Sequence, residues 1–217
     1  MRAWRGFLWS RSSGSHEGAV TDRTDAGIFL SGDRVALRPL TPEDAAILAP
    51  WMLDDEVTHF MFTGQRPVTV EQLREDIRRD TSSPANAVFL VLDRATGRPV
   101  GHAGLYDIHP TARKAEFRIL VGAKEFWHKG YGTEVTELLT FYGFDRLNLN
   151  KVWLGVTDEN VGGVRAYRKA GFRDEGRLRQ ELYRNSRYYD ALRMSILREE
   201  YYPAMHAEHA KRFGRVS

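Results

Sequence analysis

At 217 residues, 42% hydrophobic and 28% charged, the chain has the composition of one compact globular domain with room for an extension. The absence of cysteine excludes disulfides, zinc–thiolate centres, iron–sulfur clusters and cysteine nucleophiles, and it suits a cytoplasmic location. No apolar run approaches the ~20 residues of a membrane span, so no membrane partner is expected. The formal charge of +3 is spread along the chain, which favours small anionic ligands over nucleic acid.

Residues 1–27 are rich in Arg, Ser and Gly without period and read as a simply disordered N-terminal arm, docking of Trp4, Phe7 and Trp9 on a partner being the alternative. The apolar patch "GFLW" is too short for the core of a secretory signal. From Ile28 the patterns sharpen. "RVALRPL" alternates like a strand, and Pro39 keeps it near a sheet edge. "TPEDAAILAPWM" reads as a helix with Thr41 as N-cap and Pro42 at the first helical position. Val70, Leu73 and Ile77 give "TVEQLREDIRRD" helical spacing.

Three apolar runs follow. "AVFLVLD" and "PVGHAGLYDI" are strands joined at "RATGRP", and "KAEFRILVG" is a third that stops at Gly122. After "FWHKGYG", Val135, Leu138, Leu139 and Tyr142 recur at i, i+3, i+4 and i+7, so "TEVTELLTFYGFDRL" is an amphipathic helix. "KVWLGVT" is a strand. "NVGGVRAYRKAG" is a short helix with Asn160 as N-cap and Gly171 at the left-handed position that ends it. "RLRQELYRN" and "YYDALRMSIL" form a hairpin turning at "RNSR". Residues 201–217 read as a polar tail, helical in part at best, and 28–200 as the globular domain. The order of elements gives an α+β protein built on one sheet.

The chemistry concentrates at the strand–loop–helix around Gly130. A helix start carries backbone N–H groups without intrahelical partners and a positive dipole end, and glycines let an anion approach them. Gly130 and Gly132 are placed for that, and Thr133 adds a hydroxyl in the first turn. No Lys follows Gly132, so this is no P-loop. Val135 stands where a dinucleotide fingerprint needs a third small residue, so that reading fails too.

The remaining pattern, Q/R-x-x-G-x-G/A, is that of the GNAT acetyltransferases. In family order, the segments "VALRPLTPED", "PVGHAGLYDI", "KAEFRILVG", "WHKGYGTEV", "FDRLNLNKVWLGVTDEN", "AYRKAGF" and "YYDALRMSIL" resemble the branch of ribosomal-protein N-terminal, spermidine and nucleotide-sugar acetyltransferases. The resemblance implies the GNAT (acyl-CoA N-acyltransferase) fold: a single mixed, largely antiparallel sheet with a splayed central strand pair, flanked by helices. It implies acetyl-CoA as cosubstrate, no metal, and an amine-bearing acceptor, a homodimer being compatible. A coenzyme-A-binding regulatory module without turnover is the alternative.

By the same resemblance, the backbone of Leu120 and Val121 holds the pantetheine arm, with a backbone N–H near Val121 polarising the acetyl carbonyl. The N–H groups of Lys129, Gly130, Tyr131, Gly132 and Thr133 take the pyrophosphate, and Asn160 bonds the cofactor arm. Tyr167 is the general acid toward the departing thiolate. Glu116 is the candidate base, with an ion pair to a neighbouring Arg as the rival reading. The chain departs from the family at Trp127, where Gln or Arg is usual, and at His128, often Gly.

Other polar residues read as structural first. His102 and His109 flank a strand, and His206 and His209 lie three apart in the tail without an evident third metal ligand. Asp54, Asp55 and Glu56 form an acidic cluster where the family places its substrate mouth. Tyr183, Tyr188 and Tyr189 fill the last hairpin.

Overall fold

The run "AVFLVLD" lacks polar interruption because both faces of the strand it forms are covered, whereas "KVWLGVT" is buried on the face of Val152, Leu154 and Val156 and half-buried on the other. They are strands at Ala87–Asp93 and Lys151–Thr157, the residues their patterns mark. The computed structural model describes residues 27–62 and 64–214, so the N-terminal arm falls outside the described residues except for Gly27. Eight strands are seen: β1 (Leu30–Ser31), β2 (Val35–Pro39), β3 (Ala87–Asp93), β4 (Pro99–His109), β5 (Lys114–Val121), β6 (Lys151–Thr157), β7 (Arg173–Arg184) and β8 (Arg187–Leu197). They form one sheet in the order β1-β2-β3-β4-β5-β6-β8-β7. Every neighbouring pair is antiparallel except β5 and β6, which run parallel. This is the mixed, largely antiparallel α+β sheet that the sequence implies.

The helices divide between the two faces. α1 (Ala45–Met52), α2 (Asp55–Thr58) and α3 (Val70–Ser82) follow β2 in the chain. α1 and α3 enclose Leu40, Leu48, Ile77, Val88, Leu90 and Tyr106 on one face. A short turn, Pro42–Asp44, precedes α1, with Thr41 at its N-cap. α3 opens with a capping box: Gln72 N–H donates to Thr69 Oγ1 at 3.1 Å, and Thr69 N–H donates to Gln72 Oε1 at 2.9 Å. On the opposite face, α4 (Tyr131–Asp145) packs against Leu105, Phe117, Val152, Leu154 and Met194. α5 (Val161–Lys169) adds Val164 to the same core.

The β7–β8 turn uses Asn185 and Ser186 at φ 50° and 61°. Two consecutive left-handed residues match the twist of the flanking strands, which is why "RNSR" makes a two-residue hairpin turn.

The C-terminal segment differs from the sequence expectation of a polar tail. It is helical from Arg198 to Phe213, as α6 (Arg198–Tyr201), a π-helical stretch (Tyr202–His206) and α7 (Ala207–Phe213). Tyr201, His209 and Phe213 are buried, and Tyr201 and Phe213 belong to the α4-side core. Pro203 and the interleaved charges hide the apolar stripe from a periodicity reading. The π stretch shifts the helix phase and so returns His209 and Phe213 to the face that Tyr201 occupies. His209 Nδ1 lies 3.0 Å from the Tyr201 hydroxyl, while His206 stacks on Tyr202. The two histidines are packing groups.

Candidate active site

The parallel pair is short. β5 and β6 are in register only at Lys114–Lys151, Ala115–Val152 and Glu116–Trp153. From Phe117 and Leu154 onward the strands are unpaired and leave a gap in mid-sheet. Parity decides which peptide groups face it. Gly122 N–H donates to the Val100 carbonyl at 2.9 Å, so the paired residues Gly101 and Val121 occupy a position that exchanges no bonds between them. Val121 and Ile119 therefore turn their N–H and C=O groups into the gap, whereas Leu120, paired with His102, spends its own on β4. Of the two residues expected to hold the cofactor arm, Val121 turns its backbone polar groups into the gap and Leu120 turns its own toward β4; those of Ile119 also face the gap. Strand parity needs a partner strand to fix it, and sequence alone does not supply one.

Beyond β5 the chain forms a cradle. His128 sits at φ 58° and Gly130 at φ 87°, the N-cap of α4. The first intrahelical bond runs from Glu134 N–H to the Gly130 carbonyl at 3.0 Å. Among the described residues, the N–H groups of Lys129, Gly130, Tyr131, Gly132 and Thr133 find no acceptor in the chain. A Cβ on Gly130 would meet nothing within 4 Å, and one on Gly132 only Val121 Cγ2 at 3.9 Å. The N–H groups thus open onto space that adjoins the end of β5. Tyr131 fixes the helix start from behind, donating its hydroxyl hydrogen to Asp93 Oδ1 at 2.6 Å. Burial first, then this carboxylate, pushes the Tyr131 phenol up to about 12.

The two departures at the loop gain an account here. Trp127 Nε1 donates to the Val121 carbonyl at 2.8 Å, so the indole ties the loop to the gap edge and leaves Val121 N–H facing the gap. His128 holds a left-handed conformation that glycine adopts without cost, which explains why Gly is usual there.

Tyr167 borders the gap from the α4 side, and Asn160 follows the end of β6 at the start of α5. The Tyr167 ring stands edge-on to Phe117, the first unpaired residue of β5, with centroids 6.2 Å apart. Among the described residues its hydroxyl has no partner, and burial pushes it up to about 12. Asn160 caps α5 by accepting Gly163 N–H on Oδ1 at 2.9 Å, which leaves its amide nitrogen for a ligand. A Cβ on Gly163 would come within 2.9 Å of that side chain, so the second glycine serves the cap.

Glu116 lies on the opposite, α1/α3 side of the gap floor. It accepts from Arg118 Nη2 at 2.6 Å, and Arg118 lies 4.6 Å over the Tyr106 ring. The rival ion-pair reading is realised. Beside Glu116, Arg193 stacks on Trp153 at 3.9 Å.

Residues 51–62 roof the gap on this side. Trp51 fills the space a side chain at Gly122 would need, while Phe62 approaches Gly155 of β6. Thr157 Oγ1 donates to the Phe60 carbonyl at 3.2 Å. Asp54 caps α2 by accepting from Glu56 N–H at 2.9 Å, and Lys124 Nζ sits between Asp54 at 2.8 Å and Glu56 at 2.5 Å. The resemblance placed the acidic cluster of this segment at the substrate mouth, but the contacts that hold the roof come from residues about 70 to 130 positions away, Lys124 and Arg184, and carry no local signal. His102 is on this face with Nδ1 buried and unpartnered, and burial pushes it down to about 4. His109 accepts Ala112 N–H in a turn. Tyr183 and Tyr188 are exposed and pack on each other, and Tyr189 is buried. No described helix is long and apolar enough to cross a membrane.

A gap between parallel strands whose open end meets an unsatisfied helix start fits an acyltransferase that draws its acyl group from coenzyme A. Unsatisfied N–H groups at a helix start suit an anion such as a phosphate. Comparison with known proteins agrees. A family model described as an acetyltransferase (GNAT) domain matches residues 34–173. The spermidine N(1)-acetyltransferase of Escherichia coli (strain K12) is 33% identical over 171 residues, covering 79% of this chain and 90% of that protein. The putative ribosomal N-acetyltransferase YdaF of Bacillus subtilis is 28% identical, covering 78% and 94%. The crystal structure of spermidine N-acetyltransferase from Vibrio cholerae in complex with CoA and spermine superposes with a TM-score of 0.71 at 31% identity, covering 77% of this chain and 98% of that one. The chain belongs to the GNAT acetyltransferase family. It is an acetyl-CoA-dependent N-acetyltransferase whose acceptor is an amine.

Proposed function

We propose that the acceptor is a polyamine and that its primary amine attacks the acetyl carbonyl directly, within the gap between β5 and β6. The observation that carries the choice of acceptor is the likeness to spermidine acetyltransferases over almost their full length. The roof supports it, since Asp54 and Glu56 already hold one primary ammonium, that of Lys124. Ile119 and Val121 hold the pantetheine amides, and Val121 N–H faces the acetyl oxygen as negative charge grows there. The N–H groups of Lys129, Gly130, Tyr131, Gly132 and Thr133 bind the pyrophosphate, and the Asn160 amide nitrogen donates to the arm.

Tyr167 serves the leaving sulfur. With its phenol at about 12 and an ordinary thiol near 8.5, complete proton transfer would be uphill by roughly 3.5 units, on the order of 5 kcal/mol. Its hydroxyl therefore stabilises the thiolate by donating a hydrogen bond, and the proton that finally reaches sulfur is the one the amine loses. Glu116, paired with Arg118, orients the acceptor ammonium or a water beside it. The lack of cysteine supports a cytoplasmic location. The long edge strand β7 with its exposed Tyr183–Tyr188 pair supports a homodimer, which native mass spectrometry would test.

The experiment is free-thiol release from acetyl-CoA with a panel of spermidine, spermine, amino sugars and ribosomal-protein N-terminal peptides. Polyamines should be the best acceptors. Selective turnover of a sugar or a peptide would overturn the acceptor assignment. Coenzyme A binding without thiol release from any acceptor would favour the regulatory alternative.

A further inference from the structure

Arg184 lies near the tip of the β7–β8 hairpin, 126 positions from the roof segment it touches. Only 4% of its surface is exposed. Nη1 donates to the Thr58 carbonyl at 2.7 Å, Nη2 donates to Thr58 Oγ1 at 2.9 Å, and Asp55 Oδ1 stands 3.4 Å from Nη2. Thr58 is itself buried. Its hydroxyl also donates to the Asp54 carbonyl at 3.0 Å, and its methyl side blocks any side chain at Gly64, which holds φ 94°.

The position of Thr58 gives this contact its meaning. The roof crosses the gap from Trp51, over Gly122 at the end of β5, to Phe60 and Phe62, over Thr157 and Gly155 of β6. Thr58 lies between those two footings. A guanidinium that grips both polar groups of one residue fixes position and rotation together, which a single bond does not. A surface ion pair would be worth little here, but charge-assisted bonds on a residue 1% exposed are costly to break.

We propose that Arg184 is a positioning residue for the acceptor amine: through Thr58 it locks the 51–62 roof over the gap, so the C-terminal hairpin sets acceptor affinity without touching the acceptor. The inference rests on the proposed acceptor side of the gap. It assigns to Arg184 no part in holding coenzyme A, whose cradle and arm lie on other elements.

The test compares Arg184→Ala, Arg184→Lys and Thr58→Val with the unmodified enzyme, using steady-state kinetics for spermidine and acetyl-CoA, calorimetric coenzyme A binding and thermal melting. Loss of charge-assisted bonds of this kind should raise the spermidine KM of Arg184→Ala by about 10- to 100-fold. kcat should change far less, and coenzyme A affinity should stay within about twofold, since no cradle or arm group is touched. Arg184→Lys, keeping the charge but not the fork, should recover part of the loss, and Thr58→Val should show a smaller rise. An unchanged spermidine KM in folded Arg184→Ala overturns the proposal, as does an equal loss of coenzyme A affinity. If Arg184→Ala does not fold, Arg184→Lys and Thr58→Val decide by the same criteria. If the unmodified enzyme ignores spermidine, the acceptor assignment fails by itself, and the same comparison runs on whichever amine of the panel it acetylates.

Discussion

Replacing Gly130 by Ala tests the cradle. Gly130 holds φ 87°, a region that costs an L-residue about 1–2 kcal/mol. A Cβ there meets nothing within 4 Å, so no clash adds to the backbone term. Either the loop keeps its shape and the fold bears the cost, or it relaxes and re-aims the N–H groups of Lys129 to Thr133. In the first case the melting temperature falls by roughly 2–8 °C for a domain of this size. In the second, coenzyme A affinity falls about 5- to 30-fold, the same energy expressed as binding. In both cases the new methyl group would crowd the proposed pyrophosphate, so binding should weaken beyond the stability change. Calorimetry with coenzyme A and with pantetheine, which lacks the pyrophosphate, separates the contributions. Coenzyme A should weaken and pantetheine should not. Equal weakening of both ligands, or no change in either, would refute the assignment of this loop to the pyrophosphate.

Further outcomes follow from the same geometry. Tyr167→Phe should lower kcat by about 10²- to 10³-fold through loss of a donor to developing charge, with coenzyme A binding and melting temperature unchanged, because the hydroxyl has no partner among the described residues. Since a raised phenol keeps its proton below its folded value of about 12, kcat/KM should rise with pH as the acceptor amine deprotonates and show no alkaline decline due to Tyr167 below about pH 11. Trp127→Phe removes the bond to the Val121 carbonyl and should weaken coenzyme A binding by about 2- to 10-fold, measured by the same calorimetry. His102 and His209 are both pushed down to about 4 by burial, His209 with a smaller contribution from Arg212. Between their ordinary value and about 4 the unfolded chain binds protons that the folded chain refuses. Stability should therefore fall as pH drops from about 6.5 to 4, by up to about 3 kcal/mol per histidine. Denaturant titrations of His102→Leu and His209→Phe should show a shallower fall than the unmodified protein.

Local signals proved the most legible. Alternation and apolar runs located the strands, Thr41 and Asn160 marked helix starts, and Gly171 at φ 89° ended α5 as its type implies. Each of these signals acts within a few residues. The cradle was legible for the same reason: glycines, a helix start and a preceding strand are contiguous. What escaped depends on distant chain. The parity that turns Ile119 and Val121, but not Leu120, into the gap is set by β4. The pairing of Glu116 with Arg118 was left even with a catalytic role because both readings place the same residues on one face. The C-terminal helix was underread because Pro203 and a π stretch break the period of its buried side chains. Arg184 carried no signal, being one Arg among many in a charged hairpin until Thr58 is beside it.

The central proposal is that a primary amine of a polyamine takes the acetyl group in the β5–β6 gap with Tyr167 at the leaving sulfur. The most direct measurement is single-turnover acetyl transfer from acetyl-CoA to spermidine, followed by thiol release and by mass spectrometry of the product, in the unmodified enzyme and in Tyr167→Phe. N-acetylspermidine should appear in step with free thiol, and both should be lost in the variant at unchanged coenzyme A affinity. Full-rate transfer by Tyr167→Phe, or thiol release without acetylated amine, would contradict it.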